Sequence, residues 1–403
     1  MSRIFAFLFV LVWAVPGLAQ EASGLARYED GGFKDRRFGG GSELRLTLSQ
    51  GVPWRVFTVA DPYRLVVDFR EVDWSGVTDR ELNASKRVRQ VQMGSFRPGW
   101  SRLVAELTGP LQVSEASLSV ATEGGSAELL LRLEDTDDVS FRARAGVPSD
   151  PDWKRPEAKA RAPAPRAAGA PIVVVLDPGH GGVDPGAQRA GVNEADLMLT
   201  FARELRDVLL RSGNYDVVLT RNEDSFVSLE RRVALAHEAG ADIFISLHAD
   251  ALDSGVAHGA SVYTLAEDAS DAASAALAER HDRDDLLAGV DLSGSDDKVA
   301  SILLDMARLD NTPRSQALST HLVDEIRSEL GYVHKDPERQ AAFSVLKSAD
   351  IPSVLIELGF LSSQEDLRSL QDPAWRGGMA AGIRDGLAAW IIEDKALARL
   401  RRQ

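Results

Sequence analysis

The chain has 403 residues and 44% hydrophobic content, enough for two or three globular domains with real cores. Its 61 acidic residues against 46 basic ones argue against duplex nucleic acid as a partner, because such binders need clustered Lys and Arg. It has no cysteine, which excludes disulfides and thiolate-held zinc and leaves His, Asp and Glu to build any metal site.

The chain opens with Arg3, an apolar run over 4–15, and then Pro16, Gly17, Leu18 and Ala19. A basic start, an apolar core too short to span a bilayer and small residues before position 20 predict a secretory signal peptide over 1–19. A retained anchor is the alternative. No later stretch is apolar and long enough to span a membrane, so the expectation is an exported protein with no membrane span once the signal is removed.

Over 40–145 the pattern is strand and turn, with L-R-L-T-L-S, W-R-V-F-T-V, Y-R-L-V-V-D-F, R-L-V-A-E-L, A-E-L-L-L-R-L and V-S-F-R-A separated by turn residues. Short alternating segments at this spacing predict an all-β sandwich. It contains no His and no grouped carboxylates, so it is expected to bind rather than catalyse. P-W-R-V-F-T-V-A-D-P-Y-R-L-V-V-D-F (53–69) and G-S-F-R-P-G-W-S-R-L-V (94–104) resemble the AMIN domain, and that resemblance implies peptidoglycan binding and cell-wall targeting. Arg97, Trp100 and Arg102 are the candidate glycan contacts, with ordinary packing as the alternative for Trp100. Residues 146–170 then turn rich in Pro, Ala and Arg, which predicts a water-exposed linker and variable geometry between the domains.

From 171 to 393 strands alternate with helical patterns, predicting an α/β domain with a mainly parallel, doubly wound sheet. The β-branched run over 172–176 reads as a buried central strand and passes straight into Asp177, Pro178, Gly179, His180, Gly181 and Gly182. A helix is expected over 194–211 with Asn193 as N-cap, a strand over 215–219, and a helix over 229–239 closed by Gly240. Strands follow over 242–247, 260–265 and 353–358, with helices over 315–330 and 373–392. His180, His248 and Glu357 all fall at strand ends, where parallel sheets place their sites, and Glu194 opens a helix on the same edge. Two His and a carboxylate with an open fourth position suit a catalytic zinc, and Glu357 suits a general base. By spacing alone, unrelated polar residues at strand ends remain the alternative.

D-P-G-H-G-G (177–182), N-E-A-D-L (193–197), I-S-L-H-A-D (245–250), G-A-S-V-Y-T-L (259–265) and S-A-D-I-P-S-V-L-I-E-L-G-F-L-S (348–362) resemble the zinc-dependent N-acetylmuramoyl-L-alanine amidases of the periplasmic, cell-separating type. The resemblance implies one zinc per chain held by His180, Glu194 and His248, and Glu357 as the catalytic glutamate. It implies hydrolysis of the amide between the lactyl group of N-acetylmuramic acid and L-alanine of the stem peptide, in the periplasm and at the septum. Asp177 and Asp250, beside the ligands, are expected either to orient them or to serve turns. A zinc peptidase on stem peptides and a non-catalytic peptidoglycan-binding septal scaffold are the alternatives.

Residues 267–298 interrupt the α/β repeat with ten acids against three bases, and their first half is Ala-rich and helix-prone with few large apolar residues. Weak docking is expected. In the regulated relatives, the resemblance implies, such a helix lends a carboxylate to zinc until a LytM-domain-type activator removes it. Aligned on L-L-A-G (286–289), the blocking position holds His281, with Glu279 two residues earlier. His281 ligating as a neutral imidazole, Glu279 reached by a shifted helix, and an acidic lid that never touches metal are the three expectations.

Overall fold

The polypeptide, described here by a computed structural model, is defined at residues 26–36, 40–70, 72–97, 99–121, 125–146, 169–251, 257–287, 298–348 and 350–400. The expected signal peptide (1–19), most of the expected linker (146–170) and part of the 267–298 insert lie outside the described residues. Among the described residues, no helix is long and apolar enough to cross a membrane.

The first domain begins earlier than the alternation indicated, with β1 (Ala26–Asp35) paired antiparallel to β2 (Ser42–Leu48). With β5 (Val72–Asp73), β9 (Leu111–Val120) and β10 (Ala127–Asp135) they form a sheet in the order β5-β1-β2-β10-β9, to which β6 (Asn83–Ala84) adds on β1. The second sheet runs β3-β4-β8-β7, from β3 (Trp54–Val59), β4 (Arg64–Arg70), β7 (Val88–Arg97) and β8 (Trp100–Leu107). Leu44, Leu46, Leu65, Val67, Leu103, Leu129 and Leu131 fill the space between them. This is the expected sandwich. V-S-F-R-A, expected as a strand, is instead helical, in the element α2 (Asp138–Arg144) after the four-residue α1 (Asp79–Leu82). Asp137 caps it by accepting from Ser140 N at 2.9 Å, and Asp138 pairs with Arg142 one turn on, so local capping outweighs a short alternation.

β4 is buried along Arg64 to Phe69 because both of its faces are covered. Leu65, Val67 and Phe69 face the sandwich core, whereas Val66, with Phe57, Val59 and Val104, packs against Val183 and Phe226 of the second domain. Val183 N donates to Ser95 O at 3.0 Å, and the rings of Phe96 and Phe226 stack with centroids 5.8 Å apart. Gly182, at φ 62°, lies so close to Ser95 O that a Cβ there would overlap it. The variable interdomain geometry expected from the linker is therefore corrected. The tether joins two domains in direct apolar contact, and burying a Val or Phe side chain contributes roughly 1.5–3 kcal/mol.

In the second domain a six-stranded sheet runs β14-β11-β15-β18-β16-β17. The strands are β11 (Ile172–Pro178), β14 (Tyr215–Leu219), β15 (Ile243–His248), β16 (Ser261–Leu265), β17 (Glu338–Ala341) and β18 (Ser353–Glu357). The first four in that order are parallel, and β16 is antiparallel to β18. Val174 and Leu176 face a core shared with the helices α3 (Glu194–Ser212), α6 (Lys298–Leu330) and α8 (Pro373–Leu400). Val175 faces the opposite core, shared with α4 (Leu229–Ala239) and α5 (Ala272–Leu287). Cover on both faces is why the run over 172–176 shows no alternation. A short hairpin, β12 (Gln188–Arg189) with β13 (Val192–Asn193), leads into α3, and α7 (Gln364–Gln371) precedes α8.

Candidate metal centre

β15 and β18 are paired in register so that His248 lies opposite Glu357, and β11 next to β15 delivers the loop bearing His180. α3 begins at Glu194 and adds its carboxylate from the same edge. Glu194 Oε2 is 3.3 Å from His180 Nε2, and Glu194 Oε1 is 3.1 Å from His248 Nδ1. Ligand atoms about 3.3 Å apart are what tetrahedral coordination at 2.0–2.1 Å requires. Backbone N–H groups of Ala187 and Ala249 donate to the same carboxylate at 3.0 and 2.8 Å, fixing its plane. His180 Nε2 and Glu357 Oε1 are buried without a hydrogen-bond partner, as a donor set facing a cation would be. The two His and Glu194 thus fit a metal ion.

The loop carrying His180 is strained and pinned. His180 adopts φ 59°, a left-handed conformation that costs a non-glycine residue about 1–2 kcal/mol. Arg232 of α4 holds it by donating to His180 O at 2.9 Å and Pro178 O at 2.8 Å, while Arg221 donates to Gly179 O at 2.9 Å. A Cβ on Gly179 would overlap the His248 ring, so glycine is what lets the loop approach that imidazole. Burial pulls the Arg221 guanidinium down to about 10.

Asp177, a sequence candidate for orienting a ligand, does not touch an imidazole. It accepts from Thr220 Oγ1, Ser246 Oγ and Arg232 Nη1 at 2.6–2.7 Å, and so acts on the site only through Arg232. Burial raises its carboxyl, but Arg232 and these donors outweigh that and hold it below the usual range. Asp177→Ala leaves Arg232 buried and uncompensated, so we expect a loss of about 3–5 kcal/mol of catalytic-domain stability. Urea unfolding of the full chain measures it, and a loss under about 1 kcal/mol contradicts the assignment.

The residue that does orient His180 is Asp184, which sequence reasoning missed. Its Oδ2 is 2.7 Å from His180 Nδ1 and its Oδ1 accepts from Gly186 N at 3.0 Å. A carboxylate on the far nitrogen fixes a ligand's tautomer and raises its basicity. The signal available was an Asp four residues after the His, in a Gly-rich loop where that spacing has no helical meaning. Burial lowers the His180 imidazole, yet the carboxylates of Asp184 and Glu194 hold it well above its ordinary value. His248 goes the other way, to about 4, through burial and then the neighbouring His281 and His180. Glu357 is pushed well above the carboxylate range by burial and then by Asp250 and Glu194.

α5 closes over these residues. His281 lies with its ring centroid 4.2 Å from that of His248, and His180, His248 and His281 bring ligand atoms within 4.8 Å of one another. Asp250 serves this lid rather than a ligand imidazole. Its Oδ2 is 2.8 Å from His281 Nε2, its Oδ1 accepts from Arg280 at 3.0 Å, and its N–H donates to Glu357 Oε2 at 3.0 Å. Glu279, the other expected blocking residue, is exposed and turned away. The docking is also firmer than expected, since Leu277, Ala278 and Ser274 are buried and Arg339 bonds Asp271 at 2.9 Å. With α5 seated, the cavity between His180, His248, His281 and Arg232 has a volume of about 20 Å³.

Among the sandwich candidates, Arg102 is corrected. It is buried, pairs with Asp68 at 2.5 Å and lies 3.4 Å over the Phe96 ring, so it is structural. Trp100 is half-buried with Arg70 over its ring at 5.3 Å, and the Arg97 side chain lies outside the described residues. The remaining histidines are remote from the site. His321 pairs with Glu393, His237 lies near Ser348 and Asp350, His334 bonds the Asp336 backbone, and His258 lies beside the Tyr332 ring.

Residues 174–389 match the N-acetylmuramoyl-L-alanine amidase family, and residues 34–129 match the AMIN domain. The N-acetylmuramoyl-L-alanine amidase AmiC of Escherichia coli is 32% identical to this chain, covering 89% of each. AmiA of Escherichia coli K12 is 34% identical over 77% of this chain and 100% of its own length. AmiC of Neisseria meningitidis is 32% identical over 87% of each. The chain belongs to the N-acetylmuramoyl-L-alanine amidase family of peptidoglycan hydrolases, whose members are generally zinc-dependent.

Proposed function

We propose that His180, Glu194 and His248 hold one zinc ion, and that the protein cleaves the amide joining the lactyl group of N-acetylmuramic acid to L-alanine of the stem peptide. The observation that carries this reading is the placement of Glu357 on β18 opposite His248, with Glu194 touching both histidines. Bound there, zinc would polarise the scissile carbonyl, make a bound water more acidic and counter the burial and neighbouring carboxylates that hold the Glu357 carboxyl above its usual range. Glu357 takes the proton from the attacking water and passes it to the departing alanine nitrogen. The Asp250 N–H holds one oxygen of Glu357 and leaves the other for that transfer. Asp184 keeps His180 oriented for binding. Zinc-loaded protein incubated with purified sacculi is expected to release stem peptides beginning at L-alanine, read by mass spectrometry. Shortened peptides would support a peptidase instead, and no release after lid removal would support a scaffold.

The sandwich is the cell-wall targeting domain in this reading, with an exported enzyme acting in the periplasm at the septum. A cavity of about 20 Å³ holds about one water and no peptide, so α5 must leave before substrate enters. The seated lid, with His281 among the ligands, is an autoinhibited state released by a LytM-domain-type activator. Deleting residues 271–289 is expected to raise basal hydrolysis at least about tenfold, which puts the closed state roughly 1.4 kcal/mol below the open one. His281→Ala is expected to raise it in the same direction and Glu279→Ala to leave it unchanged. A folded, zinc-loaded deletion no faster than the parent would exclude autoinhibition.

A further inference from the structure

The turn over 181–184 connects His180 to Asp184, the residue that orients it, and it is held from two sides. It closes on itself, with Gly181 N donating to Asp184 O at 2.7 Å and Asp184 N to Gly181 O at 3.2 Å. From the catalytic domain Asp224 Oδ1 accepts from Gly182 N at 2.6 Å. From the sandwich Ser95 O accepts from Val183 N at 3.0 Å. Gly94, one residue earlier on β7, meets the turn so closely that a Cβ on it would overlap the main chain of Gly182 and Val183.

The burial of Val183 points the same way. It is 0% exposed, and the apolar side chains that cluster with it are Phe57, Val59, Val66 and Val104 from the sandwich and Phe226 from its own domain. Without the sandwich, that side chain loses most of its cover and Val183 N loses its acceptor. The next residue is Asp184, whose carboxylate lies 2.7 Å from His180 Nδ1. His180 itself is held at φ 59°, and a strained residue keeps such a conformation only where its surroundings impose it. We propose that β7 of the sandwich is a positioning element of the metal centre: Gly94 and Ser95 set the turn through Val183, so that Asp184 meets His180 and zinc affinity depends on the docked sandwich. The proposal rests on the reading of His180 as a ligand. It makes the first domain part of the second domain's site, through main-chain contacts that leave no mark on the sequence pattern of either.

The test uses the full-length chain. Gly94→Val is a wedge whose added atoms meet the turn rather than the sandwich core. It is expected to weaken zinc at least about tenfold in competition with a chelator, as the loss of a ligand's outer partner does, and to alter the visible spectrum of the cobalt-substituted protein, which reports ligand geometry. Asp184→Ala is expected to weaken zinc comparably. The double variant is expected to lie within about twofold of Asp184→Ala alone, because changes along one chain of contacts are not additive. Val104→Glu places a charge on the docking face, which an undocked sandwich exposes to water, so it carries the test if Gly94→Val does not fold. Zinc affinity within about twofold of the parent in the folded variants, or full additivity with Asp184→Ala, would overturn the proposal. A parent chain without stoichiometric zinc, or His180→Ala that retains it, would sink the ligand assignment instead, so the two failures are distinguishable.

Discussion

His180→Ala is expected to remove zinc and activity together, and His248→Ala to do the same. Each imidazole lies against the single carboxylate of Glu194, at 3.3 and 3.1 Å, so a three-donor set becomes a two-donor set when either is cut back. Losing an outer-shell partner such as Asp184 typically costs a metal site 10–100-fold in affinity, and losing a ligand should exceed that. The His180 variant also relieves a strained position without releasing its loop, because the hydrogen bond from Arg232 goes to the main-chain carbonyl of residue 180 and survives the substitution. The fold is therefore expected to stand while the metal is lost. Metal analysis after dialysis, with a circular-dichroism melt as control, decides it. Stoichiometric zinc and normal turnover in either variant would show the ligand assignment to be wrong.

Glu357→Gln is expected to keep zinc and lose rate, by on the order of 10²-fold or more for a missing general base. The amide preserves the size of the side chain and an oxygen to accept from Asp250 N, so the strand end is undisturbed. What disappears is the ability to accept a proton at a buried position without another partner. The effect is expected in kcat, with KM little changed, because Glu357 acts on the attacking water rather than on the substrate's ground state. Measured on the lid-deleted chain, so that opening of α5 does not mask the chemistry, a variant within a fewfold of the parent rate would refute the role.

These two results would separate ligands from base, and the meeting of these four residues at one edge was legible in the sequence for a common reason. Hydrophobic period and capping are local, so the strand over 215–219 and the helix over 229–239 were read with the bounds the structure gives them. Parallel topology then fixed the edge on which strand-terminal residues meet, which placed His180, His248 and Glu357 together with Glu194 opening α3. The antiparallel placement of β16 could not be read this way, since a strand buried on both faces carries no sign of its neighbour's direction.

What only the tertiary structure decided depends on contacts between segments far apart in the chain. Asp177 looked like a ligand's partner because it sits three residues from His180, yet it pairs with Arg232, 55 positions along the chain. The buried Arg221 and Arg232 carried no local pattern to announce them, and Asp184 only its place four residues after His180 in a Gly-rich loop. Arg102 looked like an exposed sugar contact, but the second domain covers that face of the sandwich and leaves the guanidinium against Asp68 and Phe96. Helical phase placed His281 and Leu277 on one face of α5, but the choice of His281 over Glu279 was made by Asp250 and the sheet beneath, which bury the one and leave the other in water. Sequence alone specified which residues have the right chemistry at the right edge. The close packing of two domains and a lid determined which of them converge on one site, because burial and pairing are properties of the assembled fold and not of any one segment.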